Sequence, residues 1–311
     1  VSKVWDTKTA IIALILGLFW PMFLIMSGRL CNIPIYVALL ILACGVMFSR
    51  KPPLLARGIL VGLILGLYAS FRFEGVVFFA PFAYYVFREK SEPSSSLVKK
   101  CTVVAAMFSC VLLLISPWLI RNYMVFGTVT PGTSGGYALL RGHHENATGS
   151  GAPYWDPNCP YSDPLTNLTA PVPTSELSNR SRDYPTPQLE LRADKWQRAT
   201  ATDFIMNNPR REVMLTFNKA YLFVVADSTH PVGRRIVVWG PSLCALLLGL
   251  YFFITRGKHD IRQHTLWLLF LLQLSLSLVF FVLLRYRMAV DFVPVAFLAA
   301  YLTRTAATVR E

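Results

Sequence analysis

The sequence predicts an all-α polytopic membrane protein, a helical bundle that carries one large polar loop. Hydrophobic residues make up 54% of the 311 residues, and the mean hydropathy of +0.47 is too high for an ordinary soluble domain. Several apolar runs approach the roughly 20 residues that a membrane-spanning helix needs. One long stretch, 121–235, is polar and interrupts these runs.

Eight apolar segments predict membrane spans. We expect about five of them in a first region, 1–120, and about three in a last region, 236–311, with 121–235 forming a loop that contains short helices. The first segment contains Pro21, which neighbouring helices can accommodate within a membrane. The predicted spans are 10–26, 33–48, 58–71, 76–87, 101–120, 236–255, 266–284 and 288–302.

The basic residues predict the orientation of these spans. If each segment crosses once, three basic connections fall on one side, which the positive-inside rule assigns to the cytoplasm. They contain Arg50, Lys51 and Arg57, then Arg88, Lys90, Lys99 and Lys100, then Arg256, Lys258 and Arg262. The long loop is then exoplasmic, in a cell membrane or, in a eukaryote, an endoplasmic reticulum membrane. The net charge of +13 is explained by these helix ends, so nucleic acid is not an expected partner.

The polar loop predicts two helices. Leu189, Ala193, Trp196, Thr200 and Phe204 recur at three- and four-residue spacing, which is typical of an amphipathic helix. Pro209 ends that helix, and a second one should follow over 210–225.

Charged residues also occur at two predicted exoplasmic turns. Arg72 and Glu74 lie between two spans, where they could form a structural salt bridge or bind a phosphate or sugar hydroxyl. Arg285 and Arg287 flank Tyr286 before the last span. Their guanidinium groups match phosphate oxygens, but interfacial anchoring of the helix end explains them slightly better.

The junction between the fifth span and the loop, 116–149, is where we expect a polar substrate to bind. Candidate residues there are Asn122, Tyr137, Arg141, His143, His144 and Glu145. Adjacent histidines on a loop lack the spacing of a recognisable zinc motif. Solvent exposure is therefore favoured over substrate hydrogen bonding for the His143–Glu145 cluster, and substrate hydrogen bonding over a divalent metal. No cofactor is predicted.

Four segments of the chain resemble one family in the same order. The junction contains Pro117-Trp118-x-x-Arg121-Asn122-Tyr123-x-x-Phe126-Gly127, followed by Gly135-Gly136-Tyr137-x-Leu139-x-x-Gly142. The others are Gly66-Leu67 with Arg72-x-Glu74-Gly75, Glu190-Leu191-x-x-Asp194 through Asn208-Pro209-Arg210, and Arg285-Tyr286-Arg287 with Asp291 and Pro294. This pattern resembles the polytopic glycosyltransferases of family 39 type, which are GT-C class relatives of protein mannosyltransferases and lipid A aminoarabinose transferases.

The resemblance implies a GT-C-like bundle with an exoplasmic active site. Such an enzyme transfers a sugar, with inversion, from a polyprenyl-phosphate donor to a lipid, glycan or protein acceptor. By position, Arg285, Arg287, Arg72 and Arg121 would bind the donor phosphate. The general base would be a carboxylate, but the family's aspartate, which follows its first membrane helix, has no match here. We therefore expect a preceding segment that carries it, with Glu74 as the only substitute near a membrane turn.

Two other classes of function stay open from the sequence. One is a protein that binds a lipid-linked sugar without catalysis, which the unmatched aspartate leaves open. The other is a transporter of lipids or solutes whose arginines line a headgroup path. A transporter is expected to have pseudo-symmetric halves, and this sequence has no internal repeat.

Overall fold

The computed structural model describes residues 2, 4–28, 32–89, 96–145, 147–150, 186–225, 235–256 and 260–308. Within these ranges the regular secondary structure is α-helix, together with a short 3₁₀ helix, Phe73–Val76, and an isolated β-bridge between Ser150 and Val282. The helices are α1 Thr7–Leu18, α2 Pro21–Ser27, α3 Ile33–Phe48, α4 Leu54–Phe71, α5 Phe79–Arg88, α6 Leu97–Phe126, α7 Gly135–Gly142, α8 Pro187–Asn207, α9 Pro209–Val224, α10 Ile236–Arg256, α11 Ile261–Val279, α12 Leu284–Arg287 and α13 Phe292–Thr308.

Three of these helices are long and apolar enough to cross a membrane: α4, α6 and α10. Three shorter apolar helices, Thr7–Leu18, Ile33–Phe48 and Phe292–Thr305, correspond to further predicted spans. The all-α class is thereby confirmed for the described residues. The two loop helices are also confirmed, as α8 and α9, with Pro209 at the start of the second one.

Several predicted span boundaries differ from the observed helix ends. The first span is two helices, because the chain leaves the helix after Leu18 and α2 begins at Pro21, whose ring lacks the N–H that a continuous helix needs. The fifth helix continues past 120 to Phe126. Arg57, predicted in a connection between spans, lies inside α4 and is only 3% exposed. Its Nη1 lies 3.0 Å from Oε1 of Glu89, which neutralises its charge. Lys90 and Lys258 lie outside the described residues.

The chain divides into two compact units. The bundle unit comprises Val1–Pro117, Val237–Gln273 and Arg287–Glu311. The loop unit comprises Trp118–Ile236 and Leu274–Tyr286. The unit boundaries fall within α6, α10, α11 and α12, so each of these helices contributes residues to both.

Glycines on one face of α4 set the helix packing of the bundle unit. Gly58, Gly62 and Gly66 recur every four residues, and a Cβ atom on Gly62 would overlap the carbonyl oxygen of Met107 on α6. Small residues at this spacing let two apolar helices approach backbone to backbone, which is how membrane helices associate in the absence of a hydrophobic driving force.

A cluster of aromatic rings around Phe297 forms a second part of the bundle core. Phe297 on α13 is fully buried. Its ring centroid lies 5.0 Å from that of Trp5 and 5.2 Å from that of Trp267 on α11. Gly249 on α10 leaves room for the same side chain, because a Cβ there would lie 2.9 Å from Phe297 Cβ. Tilted and edge-on aromatic pairs of this kind stabilise a core beyond the area they bury.

Replacing Gly62 by alanine should destabilise the bundle, because the added methyl group has to displace the α6 backbone. Overpacking a close contact costs about 1–3 kcal/mol. We expect a lower midpoint of thermal denaturation in detergent. Gly45→Ala on α3 is the matched control, since a Cβ there meets no atom within 4 Å and alanine is the better helix former. Equal midpoints for the two variants would contradict the close-packing role of Gly62.

Candidate functional site

A cleft of about 310 Å³ lies in the loop unit beside the C-terminal turns of α6. Trp118, Arg121, Asn122 and Val125 line it from α6, where their spacing places them on one face of the helix. Gly132, Thr133, Pro187 and Glu190 line it from the following loop and from the start of α8.

Hydrogen bonds from α6 fix the loop that closes one side of this cleft. The buried amide of Asn122 donates from Nδ2 to the Thr130 carbonyl oxygen at 2.8 Å. The indole of Trp118 donates from Nε1 to the Pro131 carbonyl oxygen at 2.9 Å. The loop therefore folds back on the end of the helix, which brings Gly132 and Thr133 to the cleft.

The guanidinium group of Arg121 supplies positive charge to the cleft. Its carbon Cζ lies 5.2 Å from the centroid of the Trp118 ring, and Nη1 donates to Asn122 Oδ1 at 3.0 Å. Stacking on an indole and one amide contact orient the group without neutralising its charge. Arg121 is exposed, so it can reach an anionic ligand.

Glu190 places a carboxylate in the same cleft. It lies in the first turn of α8, after the N-cap residue Thr186, whose hydroxyl accepts the N–H of Leu189 at 3.3 Å. A carboxylate is stabilised there by the helix dipole. Glu190 also accepts a short hydrogen bond from the hydroxyl of Thr133. The cleft thus combines a cation, a carboxylate, a hydroxyl and an aromatic ring.

Asp194, one turn beyond Glu190, holds α8 against α7. Its Oδ1 accepts the backbone N–H of Gly136 at 2.5 Å, and Oδ2 lies 3.1 Å from Nη2 of Arg198. Gly136 is required at this point, because a Cβ would overlap the Asp194 carbonyl oxygen. This contact fixes the start of α7, close in sequence to the cleft residues Gly132 and Thr133.

A second polar cluster of the loop unit lies at the other end of α7. His143 Nδ1 lies 2.7 Å from Glu212 Oε2 on α9. His143 Nε2 lies 2.7 Å from the Val279 carbonyl oxygen and 3.0 Å from Lys219 Nζ. Lys219 is fully buried and His143 is 5% exposed. Burial lowers the pKa of Lys219 to about 8, against the opposing effect of Glu212.

The remaining candidate residues of the junction lie apart from the cleft. The expectation that His143 is solvent-exposed is wrong, because Glu212 and Lys219 enclose it. Glu145 is exposed and His144 is half-buried. Arg141 lies 4.7 Å over the Phe281 ring, and Tyr137 is half-buried on α7. Among the described residues, no group of three or more His, Cys, Asp or Glu side chains could hold a metal ion.

Two of the candidate phosphate-binding arginines, Arg72 and Arg287, are paired with carboxylates of the bundle unit. Both oxygens of Glu74 accept bonds from Arg72, at 2.7 and 3.1 Å, and Tyr68 donates to one of them. This fork has the geometry of the helix-end salt bridge that the sequence left open. As a general base, Glu74 would have to leave it.

Arg287 forms a second such pair. Its Nε lies 2.8 Å from Asp291 Oδ1, both side chains are nearly buried, and the Trp20 indole donates to the other oxygen of Asp291. A donor phosphate would have to compete with Asp291 for this guanidinium group. The side chain of Arg285 lies outside the described part of the chain.

The sequence selected Arg121 and Asn122, which line the cleft, and it assigned no role to Glu190 or Lys219. The signal for Glu190 was present, since Thr186-Pro187 before an acidic first turn marks a helix start. Its partner Thr133 is remote in sequence, so only the fold brings the two together. No protein-family model, curated protein or solved structure matches this chain.

The loop unit should lose stability as the pH falls from about 6.5 towards 4, because burial, followed by the charges of His143 and Arg211, lowers the pKa of His144 to about 4. Between these values the unfolded chain binds a proton that the folded chain does not, so acid favours unfolding, by about 2 kcal/mol for this half-buried group. The His144→Gln variant should lose less of its thermal midpoint between the two pH values. Glu145→Gln, at an exposed neighbour, is the control, and an identical pH profile in the wild type and His144→Gln would contradict this assignment.

Proposed function

We propose that the protein is a membrane glycosyltransferase that moves a sugar from a polyprenyl-phosphate donor to an acceptor hydroxyl or amine outside the cytoplasm. One observation carries the proposal: Arg121 and Glu190, a cation and a carboxylate, line the same cleft at the end of a long apolar helix. The resemblance to the GT-C family, which includes the segment that contains Arg121, supports the same reaction.

The cleft has the groups that recognition of a sugar phosphate requires. A guanidinium group binds phosphate oxygens in a forked geometry, and the exposed Arg121 is available to do so. Trp118, half-exposed at 52%, offers an aromatic face beside it. The 310 Å³ of the cleft is at the lower end of the size range of small-molecule sites, which suits one sugar ring with its phosphate. The long apolar helices suit a location in a membrane, and the bilayer is the phase in which a polyprenyl chain dissolves.

The proposed reaction uses two of these residues. Glu190 accepts the proton of the acceptor hydroxyl or amine while its oxygen or nitrogen attacks the anomeric carbon of the sugar. The bond between that carbon and the phosphate oxygen breaks, and polyprenyl phosphate leaves with the electron pair. Arg121 stabilises the negative charge that develops on the leaving phosphate. One carbon–oxygen bond to the donor breaks and one bond to the acceptor forms, with inversion at the anomeric carbon.

Removing the carboxylate should abolish transfer and leave donor binding intact. In lipid nanodiscs, Glu190→Gln should lower the turnover number for release of labelled sugar from a panel of polyprenyl-phosphate sugars by about 100-fold or more, because general base catalysis contributes about that factor. Asp203→Asn, an exposed carboxylate on the same helix, is the control. Full turnover by Glu190→Gln would rule out this base.

Removing the guanidinium group should weaken the phosphate contact. Arg121→Ala should raise the Kd for a short-chain polyprenyl phosphate about 10- to 100-fold, the loss of one or two charge-assisted hydrogen bonds. Arg192→Ala, an exposed arginine on α8, should leave it unchanged. Arg121-dependent binding together with no transfer from any donor of the panel would favour the non-catalytic binding protein over the enzyme. Unchanged binding by Arg121→Ala would contradict both.

A further inference from the structure

His143 joins three segments of the loop unit at one point. Its own segment, 142–150, begins at the last residue of α7 and is described except at residue 146. Nδ1 reaches Glu212 on α9 at 2.7 Å, and Nε2 reaches the carbonyl oxygen of Val279, the last residue of α11, at 2.7 Å. Lys219, from the α9 face that bears Glu212, lies 3.0 Å from the same Nε2 and donates to the Leu278 carbonyl oxygen at 3.1 Å.

Backbone contacts continue this junction beyond the imidazole. The N–H of Val282 donates to the Gly149 carbonyl oxygen at 2.9 Å, beside the bridge between Ser150 and Val282. Arg211 on α9 donates to the Ala147 carbonyl oxygen at 3.1 Å. Gly142 has to be glycine, because a Cβ would overlap the Phe280 carbonyl oxygen. The segments 142–150 and 278–282 are therefore held together on α9.

The acceptors around His143 define how many protons the cluster holds. A carboxylate oxygen and a carbonyl oxygen only accept, so both ring nitrogens are satisfied when both carry a proton. The amine of Lys219 then faces the N–H at Nε2 of His143. As a neutral amine, it can accept that N–H and donate its own N–H to the Leu278 carbonyl oxygen. With Glu212 ionised, this arrangement has no net charge, which is what a buried site favours.

Adding or removing one proton breaks this arrangement. A second positive charge, on Lys219, would place an ammonium group 3.0 Å from the imidazolium with one carboxylate to neutralise both. Losing a ring proton would leave a nitrogen lone pair facing an acceptor oxygen at 2.7 Å. In either case the contact between the three segments becomes repulsive at its centre.

We propose that Glu212, His143 and Lys219 form a proton-operated latch, which holds 142–150 and 278–282 on α9 when His143 and Lys219 together carry one excess proton and releases them when a second proton binds. Burial lowers the pKa of Lys219 to about 8, so its amine loses its proton nearer to neutral pH than the amine of an exposed lysine does. The latch is independent of the proposed transfer reaction.

The other charged groups around the cluster are mostly positive, which makes binding of the second proton less favourable. From the 142–150 side these are His144 and the exposed Glu145, with Arg141 just before them, and from α9 Arg211. The end of α11 and residues 280–283 contribute no titratable side chain. Two fixed positive charges and one exposed carboxylate thus surround the latch. Release would also free Phe281, on which the guanidinium group of Arg141 is stacked at 4.7 Å.

Hydrogen–deuterium exchange of the full chain in nanodiscs tests the latch. After correction for the intrinsic exchange rate, peptides that cover 142–150 and 278–282 should lose protection by about tenfold or more between about pH 7.5 and pH 5.5. Peptides from α4 in the bundle unit should stay protected, which separates local release from global unfolding. Equal protection of the latch segments at both pH values would overturn the proposal.

Three variants make the result specific. Lys219→Met keeps the buried apolar stem and removes the amine, so protection should no longer fall with acid. Glu212→Gln removes the counter-charge, so protection should already be low at about pH 7.5. Lys195→Met, at an exposed lysine on α8, should behave as the wild type. All are measured in the His144→Gln background, which removes the other histidine of this segment. An unchanged acid response in Lys219→Met would overturn the proposal, even if Glu212→Gln failed to fold.

Discussion

The need to neutralise charge in an apolar protein determines where the polar residues of this chain lie. In the described part of the chain, four carboxylates with little exposure each have a basic side chain within about 3 Å: Glu89 with Arg57, Asp291 with Arg287, Asp194 with Arg198 and Glu212 with His143. An isolated buried ion costs several kcal/mol, so these pairs form wherever the helices bury an acidic residue. They also define which charges are left for function. Arg72 and Arg287 are engaged by carboxylates, whereas Arg121 is held by a ring and an amide.

Glycines complement this constraint by deciding how closely backbones approach. In the bundle unit, Gly58, Gly62 and Gly66 bring α4 onto α6, a close approach of the kind by which apolar helices associate in membranes. In the loop unit, Gly136 brings α7 onto α8 through the Asp194 carboxylate. The glycine at this position of the loop is therefore explained by packing. Its contact with Asp194 fixes the start of α7, and the cleft residue Thr133 lies in the segment just before that helix.

The two polar sites of the loop unit have opposite properties. The cleft beside α6 is open, and its residues present charges that can contact a ligand. The His143 cluster is closed, because His143 and Lys219 are buried and its residues contact one another. An open site suits recognition and chemistry, and a closed one suits the control of conformation. Both lie at ends of helices, where backbone groups without intrahelical partners are available for side chains.

The sequence by itself determined the helical class and the two loop helices, because hydrophobic period and proline position are local properties of the chain. It also selected Arg121 and Asn122. The tertiary structure alone decided which charges meet. Glu190 lines the cleft, where it contacts Thr133. His143 is buried against Glu212 and Lys219. Arg57, which was predicted in a connection, forms a buried ion pair with Glu89. Such contacts join residues that are distant along the chain, so a local sequence pattern cannot predict which residue neutralises a buried charge.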